Sequence, residues 1–404
     1  MSTIAVLGTM DTKGEEFTLV VDLIRSRGHQ TLIIDVGTLS PPILRPDISR
    51  EEVAAAGNLD FQEIIRTKDR GRCVSAMVEA APHLLKQLVK DERIHGVISL
   101  GGGGGTSIAT AAMRALPIGI PKVMVSTLAS GNTAPYVGVK DIVMFPSIVD
   151  IAGINRISRK LMSQAAGAVC GMVETVIPEV DDRPLLAASQ FGNTTECVDI
   201  ARRVLEKEGY EVLVFHATGT GGRTMETLIE SGQIDGILDI TTTEWADQLV
   251  GGVLNAGASR LEAAAKSGTP AIVVPGCLDM VNFNAPDTIP KKFRGRLFYE
   301  HNPQITLMRT NSEECTELGR ILSEKLNAST GPITLLIPTK AISVISAEGK
   351  VFHDPEADQA LFDSLRNHLR KDIKIVELDC EINAPVFAEA CASELLANLK
   401  KLAE

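Results

Sequence analysis

The residues of this chain best suited to anion chemistry are five consecutive glycines followed by two hydroxyls, Gly101-Gly102-Gly103-Gly104-Gly105-Thr106-Ser107. Glycine permits backbone conformations that turn several N–H groups toward one anion. Thr106 or Ser107 can cap a following helix or bond a phosphate oxygen. A helix N-terminus adds a favourable field of about 1 kcal/mol. The same glycines would also serve a plain turn that lets a strand and a helix pack closely. A Walker A loop is excluded, because no Lys precedes the hydroxyl residues.

A second polar loop, Gly8-Thr9-Met10-Asp11-Thr12-Lys13-Gly14, offers complementary groups. Lys13 could neutralise phosphate oxygens, Asp11 could hold Mg²⁺ directly or through water, and Thr9 and Thr12 could donate hydroxyl hydrogen bonds. Local capping near Gly14 is the alternative role. The loop lacks GxGxxG order, so Asp35 gains little support as a ribose ligand. Ser130-Gly131-Asn132-Thr133 makes a third polar loop at a strand end. In an open parallel sheet, loops at strand C-termini converge on one crevice. These three loops are therefore expected to share a nucleotide site.

The second half carries a different set. His216 precedes Ala217-Thr218-Gly219-Thr220-Gly221-Gly222-Arg223. His216 is a candidate acid–base group, because an unperturbed imidazole titrates near neutrality. The glycines could receive an anion, and Arg223 could grip phosphate or carboxylate bidentately. Glu244, after three threonines, suits a helix start or a general base. Cys277, in Pro275-Gly276-Cys277-Leu278-Asp279, would be nucleophilic if its thiol were acidic, and otherwise packs. Asp279, Asn282, Asn284, Arg309-Thr310-Asn311, His301 and His353-Asp354 are further polar candidates. No spacing shows that these residues meet.

Positioning such loops requires alternating strands and helices. Strands are expected at Thr3–Leu7, Thr31–Val36, Ile94–Leu100 and Lys122–Thr127. Helices are expected around Phe17–Ile24, Arg70–Val89, Ser107–Leu116 and Ile151–Met172. Gly37–Asp60, with Pro41, Pro42 and Pro46, reads as a long functional excursion. After a polar linker, Asp181-Asp182-Arg183-Pro184, the pattern resumes. Strands are expected at Leu185–Ser189, Glu211–Phe215, Ile234–Ile240, Ala271–Val274, Ile305–Met308, Ile333–Ile337 and Ile373–Glu377. Helices are expected at Thr194–Lys207, from Thr224, and at Glu313–Leu326, Glu356–Leu369 and Val386–Leu402. The reading is two Rossmann-like three-layer α/β domains with mostly parallel sheets: 1–180 binding nucleotide, and 181–404 presenting a substrate or partner site at an interdomain cleft. A faint echo between the halves reads as shared βαβ grammar more readily than as duplication.

Composition sets outer bounds. The 404 residues are 44% hydrophobic and only 4% aromatic, with 34 glycines, as aliphatic parallel strands with many turns require. A formal charge of -11 argues against an extended nucleic-acid interface. The opening residues lack a signal-peptide pattern, and no uncharged apolar run approaches ~20 residues. Seven cysteines without CxxC spacing read as reduced thiols. A cytoplasmic protein without membrane contact is expected.

Taken together, Gly8-Thr9, Asp11-Thr12-Lys13-Gly14-Glu15, the Gly101–Thr106 run and Ser126-Thr127 with Ser130-Gly131-Asn132-Thr133 resemble a largely uncharacterised family. That family is related to the ATP-binding N-terminal region of the tomato mosaic virus resistance protein. The resemblance spans nearly the whole chain, through Pro275–Asp279 and beyond. It implies ATP binding with Mg²⁺ and a homo-oligomer such as a homodimer; it does not imply viral resistance. The leading expectation is an ATP-dependent enzyme acting on a small anionic metabolite by phosphoryl transfer or ligation, with Arg223 positioning the metabolite and His216 moving a proton. The alternatives are a non-catalytic nucleotide-binding regulator, and a nucleotide-independent isomerase or lyase acting on a carbohydrate-derived acid.

Overall fold

A computed structural model describes residues 1–66, 68–178 and 182–403. Asp181 of the expected linker lies outside the described residues. The chain divides into two compact units, Met1–Glu179 and Val180–Glu404.

The first unit runs β1 (Thr3–Gly8), α1 (Gly14–Ser26), β2 (Gln30–Asp35), α2 (Arg50–Ala56), α3 (Phe61–Arg66), α4 (Arg70–Lys90), β3 (Gly96–Gly101), α5 (Gly103–Arg114), β4 (Lys122–Ser126), α6 (Ala134–Val137), β5 (Val143–Pro146) and α7 (Arg156–Glu174). Its sheet is parallel throughout, in the order β2-β1-β3-β4-β5. Strand side chains alternate between faces. Ile4, Val6, Ile98 and Val123 face Phe17, Val20 and Ile24 of α1 and Ala165 and Val169 of α7. Ala5, Leu7, Val97 and Met124 face Met77 and Leu85 of α4 and Ile108 and Ala112 of α5. Each fully buried aliphatic or aromatic side chain contributes roughly 1.5–3 kcal/mol, and both faces are covered, giving three layers.

The excursion after β2 is more ordered than its prolines suggest. Ile48 bridges Ile34 in parallel register. Ser49 and Glu52 form a reciprocal cap that starts α2. The intervening backbone returns to the sheet end, where the Ile43 amide donates to the Met10 carbonyl at 2.8 Å.

The second unit contains β6 (Leu185–Gln190), α8 (Thr195–Lys207), β7 (Glu211–His216), α9 (Thr220–Glu230), β8 (Gly236–Thr241), α10 (Glu244–Val250), α11 (Glu262–Ser267), β9 (Ala271–Gly276), β10 (Met280–Phe283), β11 (Phe298–Asn302), β12 (Ile305–Arg309), α12 (Ser312–Asn327), β13 (Ile333–Pro338), α13 (Pro355–His368), β14 (Lys374–Leu378) and α14 (Pro385–Ala403). Its main sheet is parallel, in the order β14-β13-β9-β8-β6-β7. Helices cover both faces: α8 and α14 on one side, α12 and α13 on the other. An antiparallel sheet, β10-β12-β11, is added to this frame. Within each unit the first strand sits between the second and third, so the two sheets share one winding order. Both units are thus Rossmann-like three-layer α/β structures.

Candidate functional site

In the first unit, α1 leaves β1 toward one face of the sheet and α5 leaves the adjacent β3 toward the other. Chains diverging from neighbouring strands leave a crevice at the strand C-termini, the usual ligand position in this architecture. A cavity of about 330 Å³ lies there. Thr9, Asp11, Thr12 and Lys13 line it from the loop after β1, and Gly102 to Gly105 from the start of α5.

The loop after β1 is held by Asp35. One Asp35 carboxylate oxygen accepts the Met10 amide at 3.0 Å and the Gly37 amide at 2.8 Å. Burial pushes the Asp35 carboxyl above its ordinary range, and these two amides oppose the rise. Asp35 therefore joins the ends of β1 and β2, a structural role that needs no ribose. Asp11 is only 5% exposed. Its Oδ2 accepts the Leu39 amide at 2.8 Å and the Ser40 amide at 3.3 Å. Its Oδ1 is buried with no hydrogen-bond partner among the described residues. Thr9 and Thr12 bond each other through their hydroxyls at 3.0 Å. The Lys13 ammonium donates to the Ile151 carbonyl.

The glycine run is not a free loop. Gly101 ends β3, Gly102 is the N-cap, and Gly103 to Gly105 form the first turn of α5. The first helical bond runs from the Thr106 amide to the Gly102 carbonyl at 2.8 Å. The amides of Gly103, Gly104 and Gly105 accordingly have no acceptor among the described residues. Two expected phosphate ligands are corrected here. Thr106 is fully buried, and its hydroxyl is 2.7 Å from that of Ser126 and donates to the Gly101 carbonyl at 3.3 Å. It latches α5 to the ends of β3 and β4. Ser107 lies one turn inside the helix and donates to the Gly103 carbonyl at 2.9 Å. Both hydroxyls are absorbed because the helix starts four residues earlier than the sequence pattern indicates.

The third loop also takes another role. Ser130, Gly131, Asn132 and Thr133 are not among the described residues lining the cavity. The Gly131 amide closes a turn on the Leu128 carbonyl at 3.0 Å, and the Asn132 side chain accepts the Ala134 amide at 3.1 Å, starting α6. In its place the cavity is completed by Val36, Thr38 and Leu39 after β2, Arg70 and Val74 on α4, and Asp150 after β5. The long excursion was a signal for Thr38 and Leu39. Nothing local marks Arg70 or Asp150, because β5 has four residues and Arg70 heads an ordinary amphipathic helix.

The second unit does not assemble its candidates into one reaction site. His216 ends β7, is exposed, and stacks on Phe191 with ring centroids 5.4 Å apart. Arg223 is engaged with the Asn255 carbonyl at 3.2 Å and the Thr220 hydroxyl at 3.3 Å. The glycine turn before α9 already holds an anion: Glu244 Oε1 accepts the Gly219 amide at 2.7 Å and the Gly222 amide at 3.1 Å. Glu244 Oε2 accepts Arg260 Nε at 2.7 Å. Arg260 also donates to both Asp239 oxygens at 2.6 Å and to Glu226 at 3.1 Å. Burial works against the Arg260 charge, but these carboxylates hold its pKa well above the ordinary arginine value. Glu244 is thus an internal counter-ion and amide cap, with no free oxygen facing solvent for general-base work. Cys277 is fully buried, and burial pushes its thiol up well above the ordinary value. That disfavours the thiolate a nucleophile requires.

Three further polar candidates are bound into the interior. Asp279 is buried and accepts the Ser343 hydroxyl at 2.7 Å. Asn282 donates its backbone amide to Asp247 at 2.7 Å. Arg309 pairs with Asp358 at 2.6 Å. Arg260, absent from the sequence-based candidates, is the centre of this unit's polar core.

The fold and cavity define a two-unit α/β protein with parallel main sheets and a crevice at the strand ends of the first unit. The chain belongs to the uncharacterised protein family UPF0261: the family's N-terminal domain matches residues 2–178 and its C-terminal domain residues 183–399. A UPF0261 protein of Clostridium tetani is 53% identical over 98% of this chain and 99% of its own. One from Rhizobium meliloti is 47% identical over 97% of this chain and 98% of its own. The ToMV resistance protein Tm-1(GCR237) of Solanum lycopersicum is 38% identical, covering 96% of this chain and 55% of the tomato protein. No described helix is long and apolar enough to cross a membrane.

Proposed function

We propose that the first unit binds ATP, with its phosphates directed at the first turn of α5. The observation that carries this reading is the meeting, in one cavity at the sheet's crossover point, of the unbonded Gly103–Gly105 amides and the unpartnered Asp11 oxygen. The amides and the helix field favour the anionic end of a ligand. A lone buried carboxylate oxygen on a residue that lines the same cavity suits a cation bridging to that anion. Among the described residues no group of three or more His, Cys, Asp or Glu side chains could hold a metal. Mg²⁺ would therefore take one oxygen from Asp11 and the rest from phosphate and water, a common arrangement for this ion. Bound there, the ion would neutralise phosphate charge.

The geometry favours a nucleotide-binding regulator over an ATP-consuming enzyme built on His216, Glu244 and Cys277. Glu244 and Cys277 are locked in the interior of the second unit, so those three residues do not provide an acid, a base and a nucleophile around one ligand. Two assays separate the readings. Equilibrium dialysis with labelled ATP and Mg²⁺ is expected to give one site per chain. ADP release is expected to stay at background across a panel of small carboxylic acids. Steady ADP release with one acid would restore phosphoryl transfer or ligation, and absence of ATP binding would remove both readings.

A further inference from the structure

We infer that Arg70, rather than Lys13, is the side chain that grips the anionic end of the ligand; this rests on the nucleotide reading above. Two cationic side chains line the described cavity, Lys13 and Arg70. Lys13 gives one ammonium N–H to the Ile151 carbonyl. That bond ties the segment after β5 to the start of α1, beside a second tie from the Gly153 amide to Glu16 at 2.7 Å. Lys13 is thus a wall-building residue. Arg70 is exposed and has no hydrogen bond or ion pair among the described residues.

Its position follows from how two helices meet. Asp69 caps α4 through the Arg72 amide at 3.1 Å, which places Arg70 at the first helical position. One turn later Val74 packs on the first turn of α5, where a Cβ on Gly104 would stand 3.3 Å from Val74 Cγ2. Glycine there lets α4 sit close to the amides. Arg70 and those amides consequently face one cavity from two helices. An anion on the amides would then meet a guanidinium whose planar fork suits phosphate oxygens.

The chain contains a completed example of this chemistry. The Glu244 carboxylate sits on the Gly219 and Gly222 amides and is gripped by the Arg260 guanidinium. In the first unit the amides and a guanidinium are present, while the two carboxylates lining the cavity are engaged elsewhere: Asp11 accepts the Leu39 and Ser40 amides, and Asp150 accepts the Ile151 amide. A ligand phosphate on these amides would take the part that Glu244 plays in the second unit.

Calorimetric titration of the full chain with ATP, AMP and tripolyphosphate, each with Mg²⁺, tests this. Wild type is expected to bind ATP and tripolyphosphate. Arg70→Ala should weaken both by tenfold or more and AMP by less than threefold, and Arg70→Lys should recover part of the loss. Ligand-free thermal midpoints of both variants should match wild type, because Arg70 has no partner to lose among the described residues. Lys13→Ala should instead lower the ligand-free midpoint. Unchanged ATP affinity in Arg70→Ala overturns the inference and leaves nucleotide binding standing. If wild type binds tripolyphosphate but not ATP, the nucleotide reading fails, and loss of tripolyphosphate in Arg70→Ala still supports the grip. If wild type binds neither, both fall.

Discussion

The carboxylate of Asp11 stands where a side chain on Gly37 would begin: a Cβ at that position would lie 2.5 Å from Asp11 Cγ and from Oδ1. Glycine after β2 is therefore a condition for Asp11 reaching the cavity wall. Gly37→Ala is expected to displace the carboxylate from the Leu39 and Ser40 amides and to cost about 1–3 kcal/mol of stability, as overpacking generally does. It should also reduce the Mg²⁺-dependent part of ATP affinity. Urea unfolding and titration with and without Mg²⁺ check both effects; wild-type values in both would remove Asp11 from the site.

The Glu244–Arg260 pair makes a separate prediction. Glu244→Gln keeps the shape but removes the charge from a buried carboxylate that serves two amides and a guanidinium. Removing one partner of a buried pair costs about 3–5 kcal/mol, and a loss near 3 kcal/mol is expected in urea unfolding. A change below about 1 kcal/mol, on the scale of an exposed pair, would contradict the assigned role. ATP binding in the first unit should persist under conditions where the variant remains folded.

Stability should also fall as pH rises toward neutrality. Burial pushes the Asp247 carboxyl up to about 7, against the opposing amides of Asn282 and Leu254. Asp358 is likewise pushed up to about 6, with Arg309 opposing. An acid whose folded pKa is raised binds its proton more tightly when folded. Its stabilising contribution is full below about pH 4, the unfolded value, and is lost as pH climbs through 6 and 7. Between pH 5 and pH 8, Asp247 alone should account for a loss of roughly 2–3 kcal/mol. Asp247→Asn, which cannot ionise, should flatten the profile. An identical profile in the variant would show that Asp247 is ionised throughout.

Much of this was legible in the sequence. Apolar strands followed by amphipathic helices marked the parallel sheets, and glycine-rich strand ends marked where a cavity opens in the first unit. Their detailed roles were not legible. Thr106 and Ser107 look like phosphate ligands beside a glycine run, yet α5 starts at Gly103 and absorbs both hydroxyls. Arg70 and Asp150 are distant in sequence from the loops they join, and only the sheet order brings them to one cavity. Glu244 and Cys277 follow plausible strand ends, but burial decides their chemistry, and a strand end alone does not reveal what covers it; His216 stays exposed and stacks on Phe191. Arg260 left no motif, because its three carboxylate partners come from separate elements.

The measurement that bears most directly on the account is thermal unfolding of the full chain with ATP, with and without Mg²⁺, for wild type and Asp11→Asn. A ligand present at 100 times its Kd stabilises the folded state by about 2.7 kcal/mol. The account predicts a saturable rise in midpoint with ATP, a further rise with Mg²⁺, and loss of the Mg²⁺ increment in Asp11→Asn. No rise at millimolar ATP with Mg²⁺, in protein shown to be folded, would contradict it.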